Sequence, residues 1–285
     1  MKNLIIKKLL EKGYKSGNLV QIADWLLQRI TGKKPVELLV NRKFELSEDQ
    51  KLLLNQWIDE LTEQKKPLQY ILGSVPFCGV DILVEPPVLI PRPETEEWVE
   101  NLYKFLLPKQ PLNILDLCTG SGCIALALAK KLARSIIIGS DIGEQAISLA
   151  LKNKDRLELQ NISFIQSDLF KKLKGRRFDV IIANPPYVTY DEWQQLEPHV
   201  KNWEDRRALV AGDNGLALIK KIIQESRDYF KMNSLGLLVL EIGTLQAEAV
   251  CTFMRSCGYT DIEIQKDIAN HDRVVMGCYV VMEQN

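Results

Sequence analysis

The chain has 285 residues, 46% of them hydrophobic, and Lys plus Arg equals Asp plus Glu at 37 each, so the formal net charge is zero. That is enough apolar material for one large core or two smaller ones, with two domains the better fit to the length, and the charge balance gives no general attraction to nucleic acid. No stretch approaches the roughly 18 consecutive apolar residues of a membrane span, and the N-terminus, with Lys7, Lys8, Glu11 and Lys12, lacks the apolar centre of a signal peptide; a cytoplasmic protein without membrane contact is expected. Cys78, Cys118, Cys123, Cys251, Cys257 and Cys278 are too dilute for a disulfide scaffold. With only His199 and His271 and no CxxC pair, no metal site is expected.

Residues 1–70 read as helices. Leu4, Ile5, Leu9 and Leu10 recur at helical spacing, as do Leu19, Ile22, Ala23, Leu26 and Leu27, and then Leu52 to Leu54, Trp57, Ile58 and Leu61, with Ser47 placed to cap the last of these. A small helical bundle follows, better suited to an adaptor than to a catalytic core. Over 71–93, Gly73, Pro76, Gly79, Pro86, Pro87, Pro91 and Pro93 interrupt short apolar pieces such as Val80–Val84, which predicts a hairpin and a stiff linker. From 94 to 285 the pattern is α/β. A helix is expected over Thr95–Leu102, where Glu94 and Glu96 are first-turn acids, and then strands at Asn113–Asp116, Ser135–Gly139, Ile162–Ile165, Phe178–Ala183 and Leu237–Glu241. Crossover helices fit between them at Gly122–Ala133 and Glu144–Lys152, giving a mostly parallel sheet covered on both faces. Asp261–Ile264 and Arg273–Met282 read as further strand.

The run Leu115-Asp116-Leu117-Cys118-Thr119-Gly120-Ser121-Gly122 passes from a strand through a glycine turn into an apolar helix. Gly120 and Gly122 permit a tight turn and a close ligand approach at the carboxyl end of a parallel sheet. The turn lacks the third glycine of a dinucleotide fingerprint and the Gly-Lys-Ser of a phosphate loop. Asp141 closes the next strand about twenty residues on, placed for ribose hydroxyls. Asp168 closes the third, placed beside an adenine amino group with Leu169 and Phe170 walling the ring. Asp116 is placed to orient the charged end of the ligand. Asp also caps helices after strands, but three in register with a GxG turn exceed what capping needs. Acids at three strand ends suit a cationic, phosphate-free nucleoside, which describes S-adenosylmethionine.

Asn184-Pro185-Pro186-Tyr187 ends the strand that finishes at Ala183. Two prolines without N–H groups stiffen the turn and leave mainly acceptors, Asn184 offers Oδ1 and Nδ2, and Tyr187 adds a flat face with a hydroxyl. The same four residues also make an ordinary strand-ending turn. As a clamp, Asn184 Oδ1 and the Pro185 carbonyl would accept from the two N–H groups of a conjugated NH2, turning its lone pair toward the methyl donor, while Tyr187 packs against its plane. A non-catalytic binding module that kept the fold is the reading from another class, and it leaves Asn184, Asp141 and Gly120 without a purpose.

The chain resembles the protein-(glutamine-N5) methyltransferases that act on class 1 peptide chain release factors. Similarity runs through Pro67–Gly73, Phe77, Leu89–Glu96, the glycine turn, Asn184–Tyr187, Ala208–Leu216, Leu240–Gly243 and Asp272–Val275. Asn-Pro-Pro-Tyr alone also marks adenine-N6 DNA and RNA methyltransferases, the alternative reading, whereas Ile90-Pro91-Arg92-Pro93-Glu94-Thr95-Glu96 is much more specific. The resemblance implies a small helical domain over 1–70 that binds the substrate protein, a β-hairpin linker over 71–93, and a Rossmann-like, seven-stranded class I methyltransferase domain over 94–285. It implies S-adenosylmethionine at Asp116, Thr119, Gly120, Gly122, Asp141, Asp168, Leu169 and Asn184, and the glutamine of a Gly-Gly-Gln tip at Asn184, Pro185, Pro186 and Tyr187. No direct nucleic acid partner is implied. Two departures stand out: Cys118 replaces a common glycine, tolerable if only Gly120 and Gly122 approach the cofactor, and Glu204-Asp205 stands where Glu-Pro is common, so the loop over the substrate is expected to differ. Arg92 is read as a salt-bridging residue ahead of a substrate contact.

Overall fold

A computed structural model of the protein describes residues 1–15, 17–40 and 44–281, the side chain of Leu39 excepted. The chain divides into two compact units, one formed by 1–74 with 197–203 and the other by 75–196 with 204–285.

The smaller unit is helical: α1 (Lys2–Glu11), α2 (Leu19–Thr31), α3 (Pro35–Val40), α4 (Glu48–Thr62) and α5 (Leu68–Leu72). Its helices start and stop where the side chains dictate. Asn18 accepts from the N–H groups of Val20 and Gln21, and Gly32 ends α2 at φ 67°. Ser47 caps α4 as expected, in a reciprocal capping box with Gln50. Ile5, Leu9, Ile22, Leu26, Leu54 and Ile58 form the core. Within the same unit, Trp203 Nε1 donates to the Gln64 carbonyl at 3.0 Å.

A two-stranded hairpin follows in the chain, β1 (Ser74–Phe77) and β2 (Val80–Leu83), whose residues from Val75 on belong to the larger unit. Phe77, Val80 and Ile82 are buried in the same core as α6 (Pro93–Leu106), which starts with proline in its first turn. A seven-stranded sheet follows: β3 (Asn113–Leu117), β4 (Ile136–Asp141), β5 (Ile162–Gln166), β6 (Val180–Ala183), β7 (Leu235–Glu241), β8 (Thr260–Lys266) and β9 (Asp272–Val280), in the order β5-β4-β3-β6-β7-β9-β8. The first five strands named are parallel, and β9 runs antiparallel to both β7 and β8. Helices α7 (Cys123–Lys131), α8 (Glu144–Leu157), α9 (Tyr190–Gln195), α10 (Pro198–Lys201), α11 (Ala217–Ser226) and α12 (Ala247–Ser256) complete the described elements of this length. α10 belongs to the returning segment of the smaller unit.

The expected strands are present with shifted ends. β4 runs on to Asp141 because Asp141 pairs with Gln166 of β5. β6 begins only at Val180, since Phe178 makes an isolated bridge to Phe230. Met282, expected in the last strand, lies outside the described residues. Separate cores cover the two sheet faces, one containing Leu126, Leu128, Ile114 and Ile182, the other Leu115, Ile181, Ile222 and Leu238. Burial of both faces explains why the strands read as unbroken apolar runs. Among the described residues, no helix is long and apolar enough to cross a membrane.

Candidate active site

Parallel pairing brings the carboxyl ends of β3, β4, β5 and β6 to one edge of the sheet, where a cavity of about 560 Å³ opens. Its wall includes Gly120, Asp141, Asp168, Leu169, Asn184 and Pro186. Asp141 Oδ2 accepts from the Gly120 N–H at 2.9 Å and Oδ1 from the Gly143 N–H at 2.8 Å, so one carboxylate ties the glycine turn to the start of α8. Burial pushes the Asp141 carboxyl up, and these backbone donors oppose the shift. Asp168 is held lower by its hydrogen bond with Lys171, 2.6 Å away. Gly120, at φ 56°, has open space where a Cβ would stand.

Asp116, Thr119 and Gly122 stand behind the wall and not on it. Asp116 is fully buried and accepts from Thr119 Oγ1 at 2.5 Å; burial raises its carboxyl to about 7, against the lowering effect of that hydrogen bond. Gly122, at φ 82°, is needed for packing, because a Cβ there would lie 2.9 Å from the Phe164 ring. Cys118 lines the cavity as well, at φ 57°, a left-handed backbone conformation that favours glycine. Phe170 does not wall the cavity. It is 2% exposed and stacks on Tyr229 with ring centroids 4.4 Å apart, because Leu169 adopts φ 45° and occupies the wall instead.

A second, smaller cavity of about 50 Å³ adjoins the turn after β6. It is lined by Asn184, Pro185, Tyr187, Arg92, Leu89 and Glu241 among others. The tetrapeptide is therefore shared between the cavities: Pro186 faces the larger, Pro185 and Tyr187 the smaller, and Asn184 both. Tyr187 is tied down by its hydroxyl, which donates to Glu241 Oε1 at 3.1 Å. Gln246 Nε2 donates to the Tyr187 carbonyl at 2.9 Å and so braces the loop from behind.

Glu241, joined to Thr95 and Trp98, also lines the smaller cavity; Glu241 and Thr95 fall within segments that carry the resemblance, but those segments by themselves give them no role. Glu241 is 1% exposed and accepts from Thr95 Oγ1 and Trp98 Nε1, both at 2.7 Å, as well as from Tyr187. Burial raises its carboxyl, and those three donors work against the shift. A signal was available: Glu241 closes an apolar strand, as Asp141 does. Trp98 is 4% exposed, packed in the core with its indole N–H pointing to the carboxylate. Arg92 makes the salt bridge, with Nη2 at 2.8 and 2.6 Å from the two oxygens of Glu204. Asp205, beside it, donates its N–H to the Pro87 carbonyl at 2.7 Å, a bond that proline at this position cannot make. Among the described residues no cluster of three or more His, Cys, Asp or Glu is placed to hold a metal.

Known proteins resemble this chain along most of its length. Residues 5–73 match the PrmC N-terminal domain and residues 99–197 the methyltransferase small domain. A release factor glutamine methyltransferase of Thermodesulfovibrio yellowstonii is 45% identical over 75% of this chain and 76% of its own length. That of Escherichia coli is 38% identical over 90% of this chain and 91% of its own. Among solved structures, a methyltransferase from Pyrococcus furiosus shares the fold with a TM-score of 0.51 at 16% identity, covering 82% of this chain and 98% of that one.

Proposed function

Because the chain belongs to the family of release factor glutamine methyltransferases, we propose that it methylates the side-chain amide nitrogen of the glutamine in the Gly-Gly-Gln motif of class 1 peptide chain release factors, with S-adenosylmethionine as donor. The observation that carries the reading is that Asn184 lines both cavities at once. A methyl donor in the larger and an amide in the smaller would meet at this residue.

The larger cavity fits the donor. Its volume lies in the range of nucleoside-sized ligands, Gly120 leaves open space against its backbone, and Asp141, Asp168 and Asp205 make the wall acidic. Arg207 on the same wall is paired with Asp205 at 2.7 Å. Such a wall favours a cationic ligand without phosphates. S-adenosylmethionine, when bound, supplies a methyl group on a positively charged sulfur. Asp141 would hold the ribose hydroxyls with lone pairs left over from its two backbone donors, Asp168 and Leu169 the adenine, and Gly120 the methionine end. Asp116 and Thr119 act one layer back, by holding the turn.

A primary amide nitrogen is a weak nucleophile because its lone pair is delocalised into the carbonyl. Asn184 Oδ1 and the Pro185 carbonyl accept from its two N–H groups and orient that lone pair toward the larger cavity. The same acceptors stabilise the positive charge that grows on nitrogen during transfer, and the cationic nitrogen then sheds its proton without a strong base. Two prolines hold the acceptors apart before substrate arrives. The smaller helical unit is the part that grips the body of the release factor, and the reaction belongs to the cytoplasm, where release factors work.

The test is methyl transfer from labelled S-adenosylmethionine to release factor, duplex DNA and ribosomal RNA, with mass spectrometry locating the group. Methylation of the glutamine alone is expected. Asn184→Ala nearly abolishes it, leaving a small measurable rate, while cofactor affinity stays near that of the parent; labelled adenine, or normal turnover by the variant, overturns the reading.

A further inference from the structure

An asparagine side chain has two ends of nearly equal shape and opposite hydrogen-bonding character, and only one serves an acceptor role. What decides which end of Asn184 faces the smaller cavity is therefore a question of polarity. The partners of Asn184 answer it. Its Nδ2 lies 3.4 Å from Thr95 Oγ1, on the first turn of α6. Thr95 has a single hydroxyl hydrogen, which is committed at 2.7 Å to Glu241 Oε2.

Glu241 is an effective anchor for this chain of bonds. The indole of Trp98 can only donate, so the oxygen it meets at 2.7 Å, Oε2, must accept; the same oxygen receives Thr95. The other oxygen is occupied by Tyr187 at 3.1 Å. With its hydrogen spent on a buried carboxylate, Thr95 shows Asn184 only a lone pair. An amide turned the other way would set Oδ1 against that lone pair and leave Nδ2 facing the cavity, where two substrate N–H groups need acceptors.

We propose that Thr95 is a positioning residue: oriented by Glu241, its hydroxyl oxygen accepts from Asn184 Nδ2 and so turns Asn184 Oδ1 toward the acceptor amide. This rests on the acceptor role given to Asn184 above. Position matters more than strength here, since the contact at 3.4 Å is long and the effect comes from which atoms are allowed to face each other.

Thr95→Val keeps the shape and removes both the donor and the acceptor. In the full-length enzyme with release factor as substrate, kcat falls about tenfold or more while KM for the release factor and affinity for S-adenosylmethionine hold. Thr95→Ser restores most of the rate. Tyr259→Phe removes a buried hydroxyl that bonds Ser226 Oγ at 2.6 Å, away from Asn184, Thr95 and Glu241, and leaves kcat within about threefold of the parent, which separates polarity from general loosening. The double variant Thr95→Val with Asn184→Ala is no slower than Asn184→Ala alone, because Thr95 acts only through Asn184. Should the valine variant fail to fold, Thr95→Ala takes its place. The proposal is overturned by an undiminished kcat in the Thr95 variant, by an equal loss in Tyr259→Phe, or by full additivity in the double variant. Normal turnover by Asn184→Ala overturns the acceptor reading itself and this proposal with it.

Discussion

Gly215 runs so close behind Tyr187 that a Cβ at Gly215 would stand 2.8 Å from the Tyr187 carbonyl carbon and nearer still to its oxygen. With φ at 81°, Gly215 also occupies a backbone region that side chains disfavour. Gly215→Ala must displace the backbone of the tetrapeptide, and a loss of stability of about 2 kcal/mol or more is expected, with a fall in kcat because the acceptors move. Gly79→Ala is the control. Its φ is 77°, but a Cβ there meets nothing within 4 Å, so it costs about 1 kcal/mol and leaves turnover alone. Denaturant unfolding of both variants checks the pair; equal losses would show that crowding behind Tyr187 is not what matters.

The Arg92–Glu204 pair makes a different prediction. The Glu204 side chain is 0% exposed and that of Arg92 33%, so removal of the arginine strands a carboxylate away from water. Arg92→Ala should cost about 3 kcal/mol or more at pH 8. Burial already raises the Glu204 carboxyl and Arg92 opposes that shift, so the variant raises it further. A raised carboxyl favours folding while protonated and loses that contribution as pH rises through the folded-state value. The cost is therefore smaller at pH 5 than at pH 8, and Arg92→Met with Glu204→Gln recovers most of it. A cost independent of pH would sink the explanation.

Asp116 carries its own pH dependence. Burial raises its carboxyl to about 7 in the folded protein, whereas the unfolded chain ionises near 3.8. Below the lower value both states are protonated and nothing is lost; as pH rises from there to about 7, the unfolded state is increasingly favoured by its easier ionisation, and above 7 the loss levels off. By pH 8 the accumulated loss is about 4 kcal/mol, as an order of magnitude. Asp116→Asn keeps an acceptor for Thr119 and removes the titration. Its stability relative to the parent should climb between pH 4 and pH 8 in cofactor-free protein, and a flat difference would show that Asp116 ionises in the fold as easily as in water.

Much of the larger unit was legible because each parallel strand, buried on both faces, leaves an unbroken apolar run ending in a polar residue. Asp141 and Asp168 were found on the cavity wall by that signal. Glu241 ends its strand in the same way, but nothing in the contiguous sequence marks its partners Thr95 and Trp98, which lie 146 and 143 positions away. Asp116 shows the converse. Its place in the motif marks it for the ligand, yet its side chain is fully buried and does not line the cavity. Whether a residue at a strand end faces ligand or core depends on the pleat and the following turn, and Leu169 and Phe170 divide between the two for that reason.

What the chain order alone determined is the local chemistry: a glycine turn between strand and helix, acids at successive strand ends, and two prolines that stiffen Asn184-Pro185-Pro186-Tyr187. These follow from contiguous residues, whose backbone limits and side-chain donors are fixed wherever the segment sits. Tertiary structure alone decided the polarity of the site. Pairing of Ala183 with Leu240 sets Asn184 and Glu241 one step beyond on neighbouring strands, and α6 lays Thr95 beside both. Hydrogen-bond direction is a property of the partners, and partners this distant in sequence meet only once the sheet has formed.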